Sequence, residues 1–180
     1  MKIHSVIEGT RVNGPGFRLG VWVQGCLRHC PGCFNAESCR MDGGRDVSVD
    51  ALVRLALRHQ YDGISVSGGE PFYQSEELAQ LLKECRLHGL DTLVYTGYTY
   101  EELSAASNQA LRYCDYLIDG EYRREIPSRC RWAGSGNQRF LRLQDGKLVA
   151  DLTGFHDNAA DGEIFISADG TITLTGFINI

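Results

Sequence analysis

Short apolar runs rich in β-branched residues, each ending in glycine or polar turn residues, alternate along this chain with segments of helical period. That alternation is the feature that most constrains the fold, because it is the mark of βα units and a parallel sheet. Leu19–Gln24, Gly63–Ser67, Asp91–Thr96 and Asp115–Asp119 read as strands. Between them, Ser48 caps a helix that runs to about Gln60 with Val49, Leu52, Val53 and Ala56 on one face. A second helix is capped by Ser75, carries Glu76 and Glu77 at its positive end, stripes Leu78, Leu81, Leu82 and Cys85 along one face, and stops at Gly89. A capping box, Thr99 to Glu102, starts a third. Such units build an incomplete barrel or an open α/β sheet, and both collect their chemistry at the carboxyl ends of the strands. From Phe140 the helical pattern stops, and Glu163–Ser167 and Thr171–Thr175 flank Ala168-Asp169-Gly170, the signature of a β-hairpin. With 180 residues and no separating linker, one domain is expected, its main body spanning 1–145 and a β-rich extension of the same domain spanning 146–180.

The unusual residues sit at those strand ends. Seven cysteines are more than packing needs, and their odd number and the chain's length argue against a disulfide framework. Three of them form a C-x3-C-x2-C loop, Cys26-Leu-Arg-His-Cys30-Pro-Gly-Cys33, directly after the first strand. As a zinc site the loop wants a fourth ligand, with His29, Cys39 or a distant cysteine available. As an iron–sulfur site, three thiolates hold three irons of a [4Fe–4S] cube and leave the fourth open to another ligand. Spacing alone does not separate the two. A second motif, Ser67-Gly68-Gly69-Glu70-Pro71, follows the next strand, where two glycines can present bare backbone to a ligand lying across the sheet. The two motifs together favour the cluster.

Net charge is −5 and pI about 5.5, which excludes the basic footprint of a general nucleic-acid binder. One segment departs from this balance: Leu111 to Arg142 holds Arg112, Arg123, Arg124, Arg129, Arg131, Arg139 and Arg142 against four acids, either a solvated face or a docking surface. No run of ~18 apolar residues is present and the first residues do not read as a signal peptide, so no membrane partner and a cytoplasmic location are expected.

On these motifs the sequence resembles the radical S-adenosylmethionine enzymes, and more closely the small activating proteins of anaerobic ribonucleoside-triphosphate reductases. The resemblance spans most of Gly14 to Arg139. It rests on Asn13-Gly-Pro-Gly-Phe-Arg18, Gln24-Gly-Cys26 through Asn35, Ser65 to Pro71, Tyr95-Thr-Gly-Tyr98, Leu117 to Tyr122 and Gly134 to Arg139. It implies an incomplete (β/α) barrel of the radical S-adenosylmethionine type with the C-terminal hairpin as an appendage. It implies one [4Fe–4S] cluster on Cys26, Cys30 and Cys33, with S-adenosylmethionine chelating the open iron. Gly68, Gly69 and Glu70 would face the methionyl amine, and Gly32 and Phe34 would lie against the cofactor. Thr96 and Gly97, at a neighbouring strand end, become further contacts. Reductive cleavage would give a 5′-deoxyadenosyl radical that abstracts hydrogen from a glycine of a large partner reductase. A low-potential donor such as flavodoxin or ferredoxin would supply the electron. Placing Phe34 after the third cysteine, rather than an aromatic before it, agrees with the reductase-activating branch. Two alternatives remain at this point: another glycyl-radical enzyme or a peptide as substrate, and a zinc-stabilised α/β binding module.

For the other residues the plainer readings lead. Cys85 and Cys114 are expected in the core, Cys39 as a free loop thiol, Cys130 as an exposed thiol, and His29 on the surface. Should Arg129 and Arg131 crowd Cys130, its pKa would fall. Asp119 is either a cofactor contact or the start of an Asp-Gly turn, and Asn137-Gln138-Arg139 shape the site or the partner surface.

Overall fold

A computed structural model of the chain describes residues 1–128, 130–155 and 162–176. The strands are β1 (Lys2–Thr10), β2 (Arg18–Val23) and a two-residue β3 (Arg45–Asp46), followed by α1 (Val49–Ala56) and β4 (Gly63–Gly68). Next come α2 (Ser75–Leu87), β5 (Asp91–Tyr95), α3 (Tyr100–Ala105), β6 (Tyr116–Asp119), β7 (Arg139–Gln144) and β8 (Lys147–Asp151). These strands form one eight-stranded sheet in the order β3-β1-β2-β4-β5-β6-β7-β8. The α/β class holds. Its centre, β2, β4, β5 and β6, is parallel, and the outer strands on both sides run antiparallel. Two further strands, β9 (Gly162–Ile166) and β10 (Ile172–Gly176), pair antiparallel in a sheet of their own, which is the hairpin that the Ala168-Asp169-Gly170 turn announced.

The period of two decides which face of the sheet carries chemistry. Leu19, Val21, Val23, Ile64, Val66, Val94, Leu117 and Leu141 share one core with the apolar stripes of α1 and α2. The intervening residues Leu93, Ile118 and Phe140 belong to a second cluster with Cys130, Trp132 and Ala133. Helices therefore cover one face, and the other face is left for the loops. On that second face Arg18 is wholly buried, paired with Asp91 at 2.5 Å and donating to Ser65 Oγ at 2.7 Å, which satisfies a charge that burial would otherwise penalise heavily.

Local signals mostly behave as expected. Ser48 accepts from the Ala51 N–H, and Thr99 with Glu102 completes the capping box. Helix α1 is shorter than its apolar period suggested and ends at Ala56. Ser75 is not the cap of α2, because the 3-10 turn Pro71–Gln74 runs straight into the helix and Gln74 takes that position. The boundary drawn at 145/146 falls in the tight β7–β8 turn, where Asp145 and Gly146 have φ of 48° and 80°.

Candidate metal centre

Beyond Val23 the chain leaves the sheet, circles, and returns beside itself. The Gly25 N–H donates to Ser38 O at 2.7 Å and the Cys26 N–H to Cys39 O at 3.0 Å, so residues 38–39 run back alongside 25–26. Buried Gln24 pins both ends: its Nε2 donates to Arg40 O at 2.6 Å and its Oε1 meets His4 Nδ1 at 2.9 Å. Inside this loop Cys33 N–H donates to Cys30 O across the Pro31-Gly32 turn, with Gly32 at φ 70°. Cys26, Cys30 and Cys33 all line one cavity of about 580 Å³, within the usual size of a small-molecule site. It lies on the helix-free face, bordered by Trp22 of β2, Ser67 of β4 and Tyr95 of β5.

Gly68, Gly69 and Glu70 line the same cavity, and their first task is mechanical. The Gly69 N–H donates to Val23 O at 2.8 Å and the Glu70 N–H to Gly25 O at 2.9 Å, so β4 hydrogen-bonds directly to the stem of the cysteine loop. A Cβ on Gly69 would stand 2.4 Å from Gly25 O, and one on Gly68 2.5 Å from Val23 O. The Glu70 side chain, 1% exposed, reaches the next strand end. Its carboxylate accepts from Thr96 Oγ1 at 2.8 Å, Gly97 N–H at 2.9 Å and its own Phe72 N–H at 3.1 Å. Burial raises its pKa above the ordinary carboxylate value, and those three donors, with Arg28, oppose the rise. Thr96 and Gly97 also face the cavity.

Sequence reasoning passed over Arg28. It stands inside the cysteine loop, its backbone N–H lies 3.4 Å from Cys26 Sγ, and its guanidinium is 4.8 Å from the Tyr98 ring centroid. Its Nε is buried in the cavity wall without a hydrogen-bond partner. Cys39 is a free thiol, as expected, but its sulfur sits beside those of Cys33 and Cys26 in the same wall, and burial plus those neighbours pushes its pKa up to about 12. Cys30 is also raised, first by burial and further by Glu121, whose Oε1 is 3.9 Å from its sulfur. Arg28 lies within the motif itself, whereas the approach of Cys39 to the loop exists only in three dimensions.

Among the described residues no three His, Cys, Asp or Glu side chains are gathered at the spacing of a single-ion site. The thiols of Cys26, Cys30, Cys33 and Cys39 share one wall, with that of Cys39 beside those of Cys33 and Cys26. Zinc needs its donors about 2.0–2.3 Å from one point, whereas a cube takes thiolates at separate corners. A buried, unpartnered guanidinium nitrogen in that wall also suits an anionic iron–thiolate group. The residues fit the cluster.

The remaining predicted residues divide. Phe34 lines the cavity and contacts the Tyr122 ring at 5.0 Å, whereas Gly32 stands outside the wall, where a Cβ would meet Arg124 Cδ at 2.8 Å. Asp119 is a structural anchor, accepting from the Tyr100 N–H at 2.7 Å and pairing with Arg139. Gln138 reaches the cavity, while Asn137 donates to Glu121 O. Cys85 and Cys114 are core residues. Cys130 is buried, not exposed, and burial raises its pKa, because it packs against Trp132 and Phe140. His29 is exposed at φ 49°, Arg123 and Arg124 are exposed, and Arg129 lies outside the described residues.

Cysteines on a loop after one parallel strand and a glycine turn after the next share a cavity at the sheet's carboxyl edge, an arrangement that can hold an iron–sulfur cluster beside a second ligand. Residues 12–141 match the model of the 4Fe–4S single cluster domain. The chain is 34% identical over 142 residues to the anaerobic ribonucleoside-triphosphate reductase-activating protein of enterobacteria phage T4, covering 75% of this chain and 90% of that one. It is 34% identical over 151 residues to the protein of the same name from Escherichia coli K12, covering 77% and 96%. The pyruvate formate-lyase-activating enzyme of Clostridium pasteurianum is 33% identical over 132 residues, covering 68% and 56%. The chain belongs to the single-cluster 4Fe–4S family of the anaerobic ribonucleoside-triphosphate reductase-activating proteins.

Proposed function

We propose that this chain is a radical S-adenosylmethionine activating enzyme that installs a glycyl radical on an anaerobic ribonucleotide reductase. The observation that carries this reading is the shared cavity of the C-x3-C-x2-C loop and the Ser67–Pro71 turn, in a chain of that family. Cys26, Cys30 and Cys33 would hold the one cluster, which would bind S-adenosylmethionine beside them. When bound, cluster and sulfonium together supply a hydrogen-abstracting 5′-deoxyadenosyl radical. The chain's own part is placement. The Gly69 and Glu70 amides fix the loop stem to β4, the Glu70 carboxylate holds Thr96 and Gly97 at the cavity, and Arg28 brings a cation to the wall. Phe34 with Tyr122, and Trp22 lining the same cavity, offer the adenosyl part apolar surface. On this reading the four parallel strands with their helix-free face would serve as the core of a partial barrel, with residues 1–145 as its body; their parallel order supports it.

A low-potential donor, flavodoxin or ferredoxin, supplies the electron in the cytoplasm, a reducing compartment that suits seven free cysteines. Exposed Arg123 and Arg124, beside the cluster loop, offer an acidic partner a docking point. Anaerobic reconstitution with iron and sulfide should give a brown protein with a full [4Fe–4S] complement. Dithionite and S-adenosylmethionine should then yield 5′-deoxyadenosine, and Cys30→Ala should abolish it. A colourless protein with one zinc overturns the reading. The similarity to a pyruvate formate-lyase-activating enzyme keeps a second glycyl-radical enzyme as an alternative substrate, which the same assay with each reductase or lyase decides.

A further inference from the structure

The hairpin β9–β10 lies beyond the family match, which stops at residue 141, yet it reaches the cofactor cavity. It is fastened there by specific bonds. Glu163 accepts from Thr10 Oγ1 at 2.7 Å and from the Arg11 N–H at 3.1 Å, and Asn13 Nδ2 donates to Thr175 Oγ1 at 2.7 Å in a buried contact. Consecutive residues of β10, Ile172 through Gly176, line the cavity. Neighbouring residues of a strand point to opposite faces, so it is the edge of β10, not one face, that borders the space. Among the described residues β10 pairs only with β9, and that edge is unpaired. The Ser167 N–H donates to Thr171 O, and the alternation of an antiparallel ladder from that bond turns the Ile172 and Leu174 amides away from β9, toward the edge.

One face of the hairpin is also uncovered. Ile172 opposes Ile166 and Leu174 opposes Ile164, a four-residue apolar patch with exposures of 63, 73, 47 and 63% in that order. An open strand edge flanked by apolar side chains is built to receive an extended peptide, with backbone bonds for affinity and side chains for selection. Here the edge runs along the wall of the cavity that holds the three cysteines, so a peptide paired to it is delivered to the reacting atoms.

We infer that the outer edge of β10 is the docking rail for the substrate: an extended, glycine-bearing segment of the partner reductase adds to Ile172–Gly176 as a third strand. This rests on the glycyl-radical reading and adds what guides the segment. Five residues of pairing span about 16–17 Å at ~3.3 Å each, enough to fix the register of one glycine. The glycine itself, lacking Cβ, lets the backbone close on the cavity.

The probe is a blocked, fluorescently labelled peptide, Lys-Thr-Val-Thr-Gly-Thr-Val-Thr-Lys, and the protein is the full chain reconstituted with iron and sulfide. Binding is followed by anisotropy. Two N-methylated versions carry the methyl groups on alternate residues, one set in each phase. Strand addition predicts that one phase weakens binding at least ~10-fold and the other does not. The Leu174→Pro variant, which removes an edge amide, should weaken the parent peptide to the same degree while iron content is retained. Equal binding of both methylated peptides, unchanged binding by Leu174→Pro, or no binding at all overturns the inference. So does a dimer that Leu174→Pro converts to monomer and the peptide fails to disrupt, since the edge would then belong to a second copy. If Leu174→Pro fails to fold, the methylated pair decides on the wild-type chain. Failure to take up iron or cleave S-adenosylmethionine would count against the enzyme reading alone, because peptide binding is measured on its own.

Discussion

Replacing Gly69 by alanine isolates the mechanical role of the glycine turn. Gly69 is not held at a positive φ, so alanine meets no backbone strain there. The whole penalty is steric: the new Cβ would sit 2.4, 2.8 and 2.9 Å from Gly25 O, C and N, all backbone atoms that cannot swing aside. Relief requires β4 to move from the loop stem, stretching the Gly69-to-Val23 and Glu70-to-Gly25 bonds. Overpacking costs about 1–3 kcal/mol and each weakened bond about 0.5–1.5, so the expected loss is about 2–6 kcal/mol, against about 5–15 for a domain of this kind. Two controls separate the causes. Gly89, at φ +80° with open space around it, should lose only about 1–2 kcal/mol on change to alanine, from conformation alone. Gly154, with neither crowding nor positive φ, should stay within about 0.5 kcal/mol of wild type. Urea denaturation of the cluster-free chain measures all three, and iron uptake reports whether displacing Gly25 misplaces Cys26. A Gly69→Ala chain as stable as Gly154→Ala and taking up full iron would refute the mechanical account.

Glu70 binds its proton more tightly in the folded than in the unfolded chain, so its contribution is complete below about pH 4.5 and is lost as pH rises through its raised pKa. Glu70→Gln should flatten the fall in stability over that window in urea titrations at several pH values, and an unaltered slope would reject the assignment. Cys39→Ser should keep the iron content and visible spectrum of the reconstituted protein, whereas Cys30→Ala loses both; equal loss would make Cys39 a ligand. Arg123→Glu combined with Arg124→Glu should raise the KM for the protein partner by about tenfold at low salt, with the difference shrinking as ionic strength increases. An unchanged KM would remove these arginines from the docking surface.

What could be read from the sequence is what local pattern controls. The central strands announce themselves through Ile64, Val66, Leu93 and Val94, residues whose β-branched or apolar runs fit a buried parallel strand. The caps at Ser48 and Thr99 involve partners three residues away and were equally visible. Strand β1 was not: Lys-Ile-His-Ser-Val-Ile-Glu-Gly-Thr mixes charge with apolar residues because it lies near the sheet edge, and its exposed positions blur the pattern. The cysteine loop was legible as a motif, but the placement of Arg28, Cys39 and the hairpin depends on contacts across long separations. Glu163 lies 153 residues from Thr10, and nothing local in either signals the other. Gly32, which packs against Arg124, and Asp119, which pairs with Arg139, show that a residue can belong to a motif or a strand end without lining the cavity.

The glycine turn and the cysteine loop are better understood as one closed circuit than as two motifs. From Cys26 the path runs back through Gly25 to the Glu70 amide, across the Glu70 carboxylate to Thr96 and Gly97, and from Gly97 against the Arg28 side chain, where a Cβ would meet Cδ at 2.5 Å. The Arg28 N–H then returns to Cys26 Sγ. Apart from the Thr96 Oγ1 bond to Glu70, each link uses either a backbone group or a glycine that admits no side chain, so the circuit has few soft joints. Such stiffness has a chemical reason. If Cys26, Cys30 and Cys33 are the three ligands proposed, a flexible loop would let a nearby donor reach the open iron, and the Cys39 thiol lies beside those of Cys33 and Cys26. On the proposed ligand set, holding the strand ends and the loop in a fixed mutual position would keep the open site for the substrate-derived ligand, a reason for glycine and a buried carboxylate, both costly to stability, to be concentrated at this one edge of the sheet.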